Sequence, residues 1–209
     1  MNAPRRALVL IDVQQEYFDG PLNVQYPPRD ASLARILHAL DAAARVDMPV
    51  VSVQHEFPEG APVFAAGSAG WKLHPEVERR VGPTAKRVTK SFSDIFASTG
   101  LAAWFRENEI DTLTLVGYMT NNCVLSTAAA AEPLGLAIEV LSDATGAIHL
   151  ANEAGTASAR QVHETLMALL HSNWAAVTTT DAWTSAVTKE DGLAKSDLVT
   201  SATQGRAAH

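Results

Sequence analysis

Apolar residues fall in short, nearly continuous runs separated by longer stretches of helical periodicity. The runs are Ala7-Leu8-Val9-Leu10-Ile11, Pro49-Val50-Val51-Ser52-Val53, the alternating Thr112-Leu113-Thr114-Leu115-Val116, Ala137-Ile138-Glu139-Val140-Leu141 and Ala175-Ala176-Val177, and the more polar Lys86-Arg87-Val88-Thr89 reads as a further short strand. Runs of this length suit strands covered on both faces. Between them, Leu33, Ile36, Leu37 and Leu40 recur at helical spacing over about residues 31–46, with Asp30 or Ser32 placed to cap. Leu101, Trp104 and Phe105 mark a second helix, and the small residues from Val124 to Ala131 a third. Val162, Leu166, Leu169 and Leu170 mark a long fourth helix over about residues 152–171. This alternation predicts an α/β fold: a three-layer α-β-α arrangement around a six-stranded, mostly parallel sheet of the Rossmann-like, doubly wound kind.

Two segments break the pattern. Residues 56–84 hold Pro58, Gly60, Pro62, Gly67, Gly70, Pro75, Gly82 and Pro83, and read as one long loop. A loop of that length in a compact domain is often functional, and Phe64 and Trp71 on it either line a pocket or pin the loop to the body. From Ser185 onward the chain is polar, with scattered Val187, Leu193, Leu198 and Val199. The expected organisation is one domain over residues 1–184 and a polar tail over 185–209, its apolar positions hinting at contacts in a homo-oligomer.

Composition narrows the class. The 209 residues carry 16 basic and 23 acidic side chains, a formal charge of −7, which is the wrong sign for a nucleic-acid footprint. No apolar stretch approaches a membrane span, and the segment before Ala7 has no apolar signal region. Cys123 is the only cysteine, so no internal disulfide forms; a reducing, cytoplasmic setting is expected.

The candidate chemistry follows from where the strands end. Asp12, Lys90 and Cys123 each fall at or just beyond the C-terminal end of an expected parallel strand, and those ends face one edge of the sheet. Singly, each has a plain structural reading: a capping aspartate, a solvated lysine, a core cysteine. Together they supply what covalent acyl transfer needs. A thiol must ionise to attack, a carboxylate can take its proton and pass it to a leaving amine, and an ammonium and a helix N-terminus both favour the thiolate. Backbone N–H groups at the start of the cysteine helix can hold an oxyanion.

Three segments carry a resemblance: Leu8-Val9-Leu10-Ile11-Asp12-Val13-Gln14, Val88-Thr89-Lys90-Ser91-Phe92-Ser93, and Gly117-Tyr118-Met119-Thr120-Asn121-Asn122-Cys123-Val124. In order and spacing the chain resembles the isochorismatase-like cysteine hydrolases over about residues 5–180. That family includes nicotinamidases, carbamoylsarcosine and ureidoacrylate amidohydrolases, and isochorismatase itself. The resemblance implies a triad of Asp12, Lys90 and Cys123, a non-proline cis peptide between Tyr118 and Met119, and an oxyanion hole from the N–H groups of Met119 and Cys123. It implies hydrolysis of a C–N bond in a small amide or ureido compound through a thioester on Cys123. Gln14, Phe18, Trp71 and Tyr118 are the expected substrate-facing residues.

The departures refine the expectation. Metal-binding nicotinamidases carry Asp-x-His after the second strand; this chain reads Ser52-Val53-Gln54-His55-Glu56 there. His55 and His74 are the candidate metal pair, but without a nearby matching carboxylate, so no metal and no cofactor is expected. Isochorismatase cleaves a vinyl ether without a nucleophilic cysteine, so Cys123 points to the metal-free amidohydrolase branch, of which streptothricin hydrolases are an example. A vinyl-ether hydrolase and a non-catalytic binding or assembly homologue are the alternatives. A dinucleotide enzyme is disfavoured because Asp12-Val13-Gln14-Gln15 lacks the glycine-rich turn.

Overall fold

A computed structural model describes residues 3–209. The elements run β1 (Arg6–Ile11), α1 (Arg29–Arg45), β2 (Val50–His55), α2 (Pro75–Arg80), β3 (Lys86–Lys90), α3 (Leu101–Glu107), β4 (Thr112–Tyr118) and α4 (Leu125–Ala131). They continue with β5 (Ala137–Gly146), β6 (Leu150–Asn152), β7 (Gly155–Ala157), α5 (Ala159–Asn173), β8 (Ala175–Thr178), α6 (Thr180–Thr188) and α7 (Leu198–Ala208). One sheet has the order β3-β2-β1-β4-β5-β8, and every neighbouring pair is parallel. The expected six-stranded parallel sheet is present, and it is parallel throughout.

The continuous apolar runs are explained by two covered faces. Along β1, Leu8 and Leu10 pack on one side with Leu33, Ile36 and Leu40 of α1 and Trp183 of α6. Ala7, Val9 and Ile11 pack on the other with Leu101 and Phe105 of α3, Ala128 of α4 and Leu170 of α5. Successive side chains alternate faces, so both sets must be apolar. Burying each leucine or isoleucine contributes about 1.5–3 kcal/mol.

The winding order places the site. From β1 the chain moves outward to β2 and β3, then returns to β4 on the other side of β1 and continues to β5 and β8. The reversal opens a crevice beyond the C-terminal ends of β1 and β4, where Asp12 and the cysteine turn lie. The two strands approach closely there. Gly117, paired with Ile11, has φ +105°, and a Cβ on it would run into the Ile11 carbonyl oxygen; only glycine meets both conditions.

The structure corrects several expected boundaries. The loop over residues 56–84 contains α2, begun by Pro75 at its first position and capped by His74, whose Nδ1 accepts from Glu76 N at 3.2 Å. Residues 150–157 form the hairpin β6–β7 instead of opening the long helix. That helix starts at Ala159 behind a capping box in which Ser158 and Gln161 bond each other's backbone N–H. The boundary at residue 184 falls inside α6, which is capped by Thr179 and buries Trp183, Ala186 and Val187. The tail beyond it carries α7, capped by the Asp197 side chain on Thr200 N. No helix among the described residues is long and apolar enough to cross a membrane.

The N-terminal ends of the strands hold a buried polar network. Arg6 pairs with Glu139 across β4, Nη2 to Oε1 at 2.8 Å and Nε to Oε2 at 3.0 Å. Thr114 Oγ1 donates to the same carboxylate at 2.7 Å, and Trp183 Nε1 donates to it at 3.1 Å. Arg6 also donates to the Asp191 carbonyl, which ties the chain after α6 to β1. Removing one partner of such a pair leaves a buried charge without compensation. Glu139→Ala is therefore expected to destabilise the protein by about 3–5 kcal/mol, read from the urea unfolding midpoint; a loss within the range of an exposed substitution would show that the network contributes little.

Candidate active site

Four strands each deliver one side chain to the same edge. Asp12 follows β1, His55 ends β2, Lys90 ends β3, and Cys123 lies in the turn after β4. Asp12 adopts φ +53°, a left-handed conformation that aspartate tolerates better than most residues, and it turns the chain out of the strand. Cys123 sits in a turn of π-helix, Thr120–Val124, closed by Val124 N donating to Met119 O at 3.1 Å. Such turns recur at functional sites. The peptide between Tyr118 and Met119 is cis, where the resemblance placed it. Thr120 Oγ1 lies 2.9 Å from His163 Nδ1, which anchors the turn to α5.

The ammonium of Lys90 is the centre of the cluster. Its Nζ stands 2.7 Å from Asp12 Oδ2, 2.9 Å from His55 Nδ1, 3.2 Å from the Phe92 carbonyl oxygen and 3.3 Å from Cys123 Sγ. Asp12, Lys90 and Cys123 are 0%, 3% and 1% exposed, so this charge pair and thiol sit in a low-dielectric interior. Asp12 Oδ1 is also buried and takes no hydrogen bond of ordinary geometry, which leaves it open to the thiol proton.

Burial decides the protonation states. It pushes the Asp12 carboxyl above its usual range, against the pull of Lys90. It works against the charge on Lys90 too, but Asp12 and Cys123 beside it hold the lysine above its ordinary value, so the ammonium persists. Burial, then the Asp12 carboxylate, push the Cys123 thiol well up, and Lys90 only partly offsets this. This runs opposite to the expected lowered thiol pKa: burial favours the neutral form of Cys123 beside the Asp12–Lys90 pair. His55 is lowered to about 4 by burial and by Lys90, so its imidazole is neutral near pH 7.

The donor set does not fit a metal ion. Donor atoms of Asp12, His55 and Cys123 lie within 4.8 Å of one another, but the Lys90 ammonium bonds to all three and occupies the cation's place among them. The candidate partner His74 instead caps α2 and packs on Phe18, with ring centroids 4.5 Å apart.

Two of the expected substrate contacts serve the scaffold. Gln14 is fully buried; its Nε2 donates to the carbonyls of His55 and Trp71 at 2.9 and 2.7 Å, and its Oε1 accepts from His55 N at 2.8 Å. It clamps β2 to the long loop and has no polar atom left for a ligand. Tyr118 is fully buried on the α1 side, its hydroxyl 2.7 Å from Ser32 Oγ. Phe18 is 5% exposed and packed between His74 and Tyr118. Trp71 is half-buried, and its indole N–H is buried without a partner. His55 is the member of the cluster that sequence reasoning weighed only as a metal ligand; its place at the end of β2, level with Lys90, was the available signal.

A thiol, a carboxylate and an ammonium meet at the switch point of a parallel α/β sheet, an arrangement that suits a cysteine hydrolase. Residues 6–182 match the isochorismatase domain, and the chain belongs to the isochorismatase family of hydrolases. The isochorismatase-type protein of Burkholderia xenovorans LB400 superposes with a TM-score of 0.96 at 45% identity, covering 99% of this chain and 99% of that one. The secreted isochorismatase effector Isc1 of Verticillium dahliae is 34% identical over 139 residues, 66% of this chain and 71% of its own length. A streptothricin hydrolase of Streptomyces noursei is 34% identical over 139 residues, 66% of this chain but 49% of its own length.

The protonation states set a pH dependence. Between pH 6.5 and about 4 the unfolded chain binds a proton on His55 that the folded chain refuses, so this residue's contribution to stability falls as the pH drops through that window. Asp12, raised in the fold, acts with the opposite sign. Comparing unfolding midpoints at pH 7 and pH 5, His55→Asn is expected to lose less stability on acidification than the unmodified protein; equal losses would contradict a buried neutral imidazole.

Proposed function

We propose that the protein hydrolyses a C–N bond in a small amide or ureido compound through a thioester on Cys123. The observation that carries this is the placement of Cys123 Sγ 3.3 Å from the Lys90 ammonium, which itself stands 2.7 Å from the Asp12 carboxylate. In the first half-reaction Asp12 takes the Sγ proton as sulfur bonds to the carbonyl carbon, and the carbonyl electrons move to oxygen. The N–H groups of Met119 and Cys123 hold that oxyanion; support comes from Met119 standing at the N-cap of the turn that presents the sulfur and Cys123 lying within it. As the oxyanion collapses the C–N bond breaks, and Asp12 gives its proton to the leaving nitrogen. In the second half-reaction water surrenders a proton to Asp12 and attacks the thioester; the C–S bond breaks and the proton returns to sulfur.

The deep burial of Cys123 restricts the reactant to a small molecule, and Trp71, whose indole N–H lacks a partner, is the expected substrate contact that stays available. The streptothricin hydrolase relative supports hydrolytic chemistry. Vinyl-ether cleavage forms no acyl intermediate and gives the thiol nothing to do. Within the same proposal the enzyme acts in the cytoplasm, whose reducing conditions keep the lone thiol free, and as a homo-oligomer, supported by Leu198 and Val199 standing 61% and 77% exposed on α7.

A panel of small primary amides, ureido acids and lactams tests the reading by ammonia release, with an acyl adduct on Cys123 sought by intact mass. Cys123→Ala is expected to lower turnover by roughly a thousandfold or more. Turnover close to normal in that variant, or hydrolysis of an enol ether with no ammonia, would overturn the mechanism.

A further inference from the structure

His55 has a role beyond filling space. β2 lies between β3, which carries Lys90, and β1, which carries Asp12. Strands are spaced about 4.8 Å apart, so the lysine must cross roughly 9.6 Å of sheet edge, using the full length of its stem. It passes over the end of β2, where His55 is its register partner. The Nδ1 atom meets Nζ at 2.9 Å. An ammonium has only donors, so Nδ1 is the acceptor and the imidazole proton is on Nε2. That Nε2–H is buried and has no partner, and the ring packs against Phe57 and Phe64 with centroids 4.5 and 5.2 Å away. An apolar side chain would fill such surroundings without stranding a donor. The polar ring is explained by what its other nitrogen does.

We propose that His55 is a positioning residue: it accepts from the Lys90 ammonium where the side chain crosses β2 and so aims it between Asp12 and Cys123. Lys90 has four acceptors around it and three protons to give. With His55 fixing one, the remaining protons are directed to the carboxylate and shared toward the sulfur. The neutrality of His55, its pKa about 4, keeps a second cation out of the cluster. This inference deepens the hydrolase reading and rests on it for its purpose.

Leucine and asparagine both branch at Cγ and are close in size, but only asparagine places an acceptor near the position of Nδ1. The probe is iodoacetamide, and because Cys123 is the only cysteine intact mass reads one position. At pH 8, His55→Leu is expected to label about tenfold more slowly than the unmodified protein, the order of effect expected when one hydrogen bond to a charged group is lost. His55→Asn should label at the unmodified rate. On a Lys90→Met background, His55→Leu should make no further difference. Leucine labelling as fast as histidine, asparagine as slow as leucine, or an undiminished effect without Lys90 would each overturn the assignment. Should His55→Leu not fold, nitrogen NMR of the unmodified protein decides: an unprotonated Nδ1 that shifts in Lys90→Met supports the role, and a protonated Nδ1 removes it. Labelling needs no turnover of an amide. A failed ammonia screen would remove the hydrolytic reading and leave this result, whereas equal labelling would remove the role of His55 and leave hydrolysis standing.

Discussion

Everything at the site depends on one buried ion pair, Lys90 Nζ to Asp12 Oδ2 at 2.7 Å, with both side chains fully covered. Taking two charges out of water costs several kcal/mol each, and their attraction repays this only where geometry is good and remaining donors are used. The parallel sheet supplies those conditions. It brings three strand ends and the cysteine turn to one edge, so the ammonium finds a carboxylate, an imidazole nitrogen, a carbonyl oxygen and a sulfur within reach. No local segment of the chain could assemble that set.

The same burial shapes the chemistry. A thiolate formed in advance would be a second buried anion beside Asp12, and the interior penalises it more than Lys90 compensates. Asp12 is also raised, which makes it a stronger base than an exposed carboxylate. The same burial raises the proton affinity of the thiol, so the carboxylate and the thiol are shifted in the same direction. On the proposed route the anion is created on the substrate oxygen during attack instead of being stored on sulfur at rest. An exposed, low-pKa cysteine would react with any electrophile, whereas Cys123 is 1% exposed.

Asp12, Lys90 and Cys123 were legible in the sequence because each stands at or just beyond the end of an expected strand, and parallel strands of one sheet end on one side. What escaped was set by contacts distant in the chain. Gln14 reads as a polar residue beside a catalytic aspartate, but the carbonyls it serves belong to His55 and Trp71. Tyr118 adjoins the cysteine loop, yet the alternation along β4 turns its ring to the α1 face, where Ser32 takes its hydroxyl. The short helix α2 was hidden among prolines and glycines, although Pro75 at its start was itself a signal. Ser158 and Gln161 spelled a capping box that the apolar periodicity around them outweighed. In α6 and α7 the start signals Thr179 and Asp197 stand among polar residues with little apolar periodicity; Trp183, whose indole N–H donates to Glu139, anchors the first.

Parallel strands also have a second end, and the protein uses it differently. At the N-terminal ends, Arg6, Glu139, Thr114 and Trp183 form a saturated network that joins β1, β4 and β5 to α6. At the C-terminal ends, Asp12 Oδ1 and His55 Nε2 are left without partners. Unpaired buried polar groups reduce stability, and a fold tolerates them where reacting atoms must find them free. The length of the strands separates the two networks, so changes in one add to changes in the other with little coupling. Stability is concentrated at one edge of the sheet, which allows the opposite edge to keep incomplete hydrogen bonding as a condition of its chemistry.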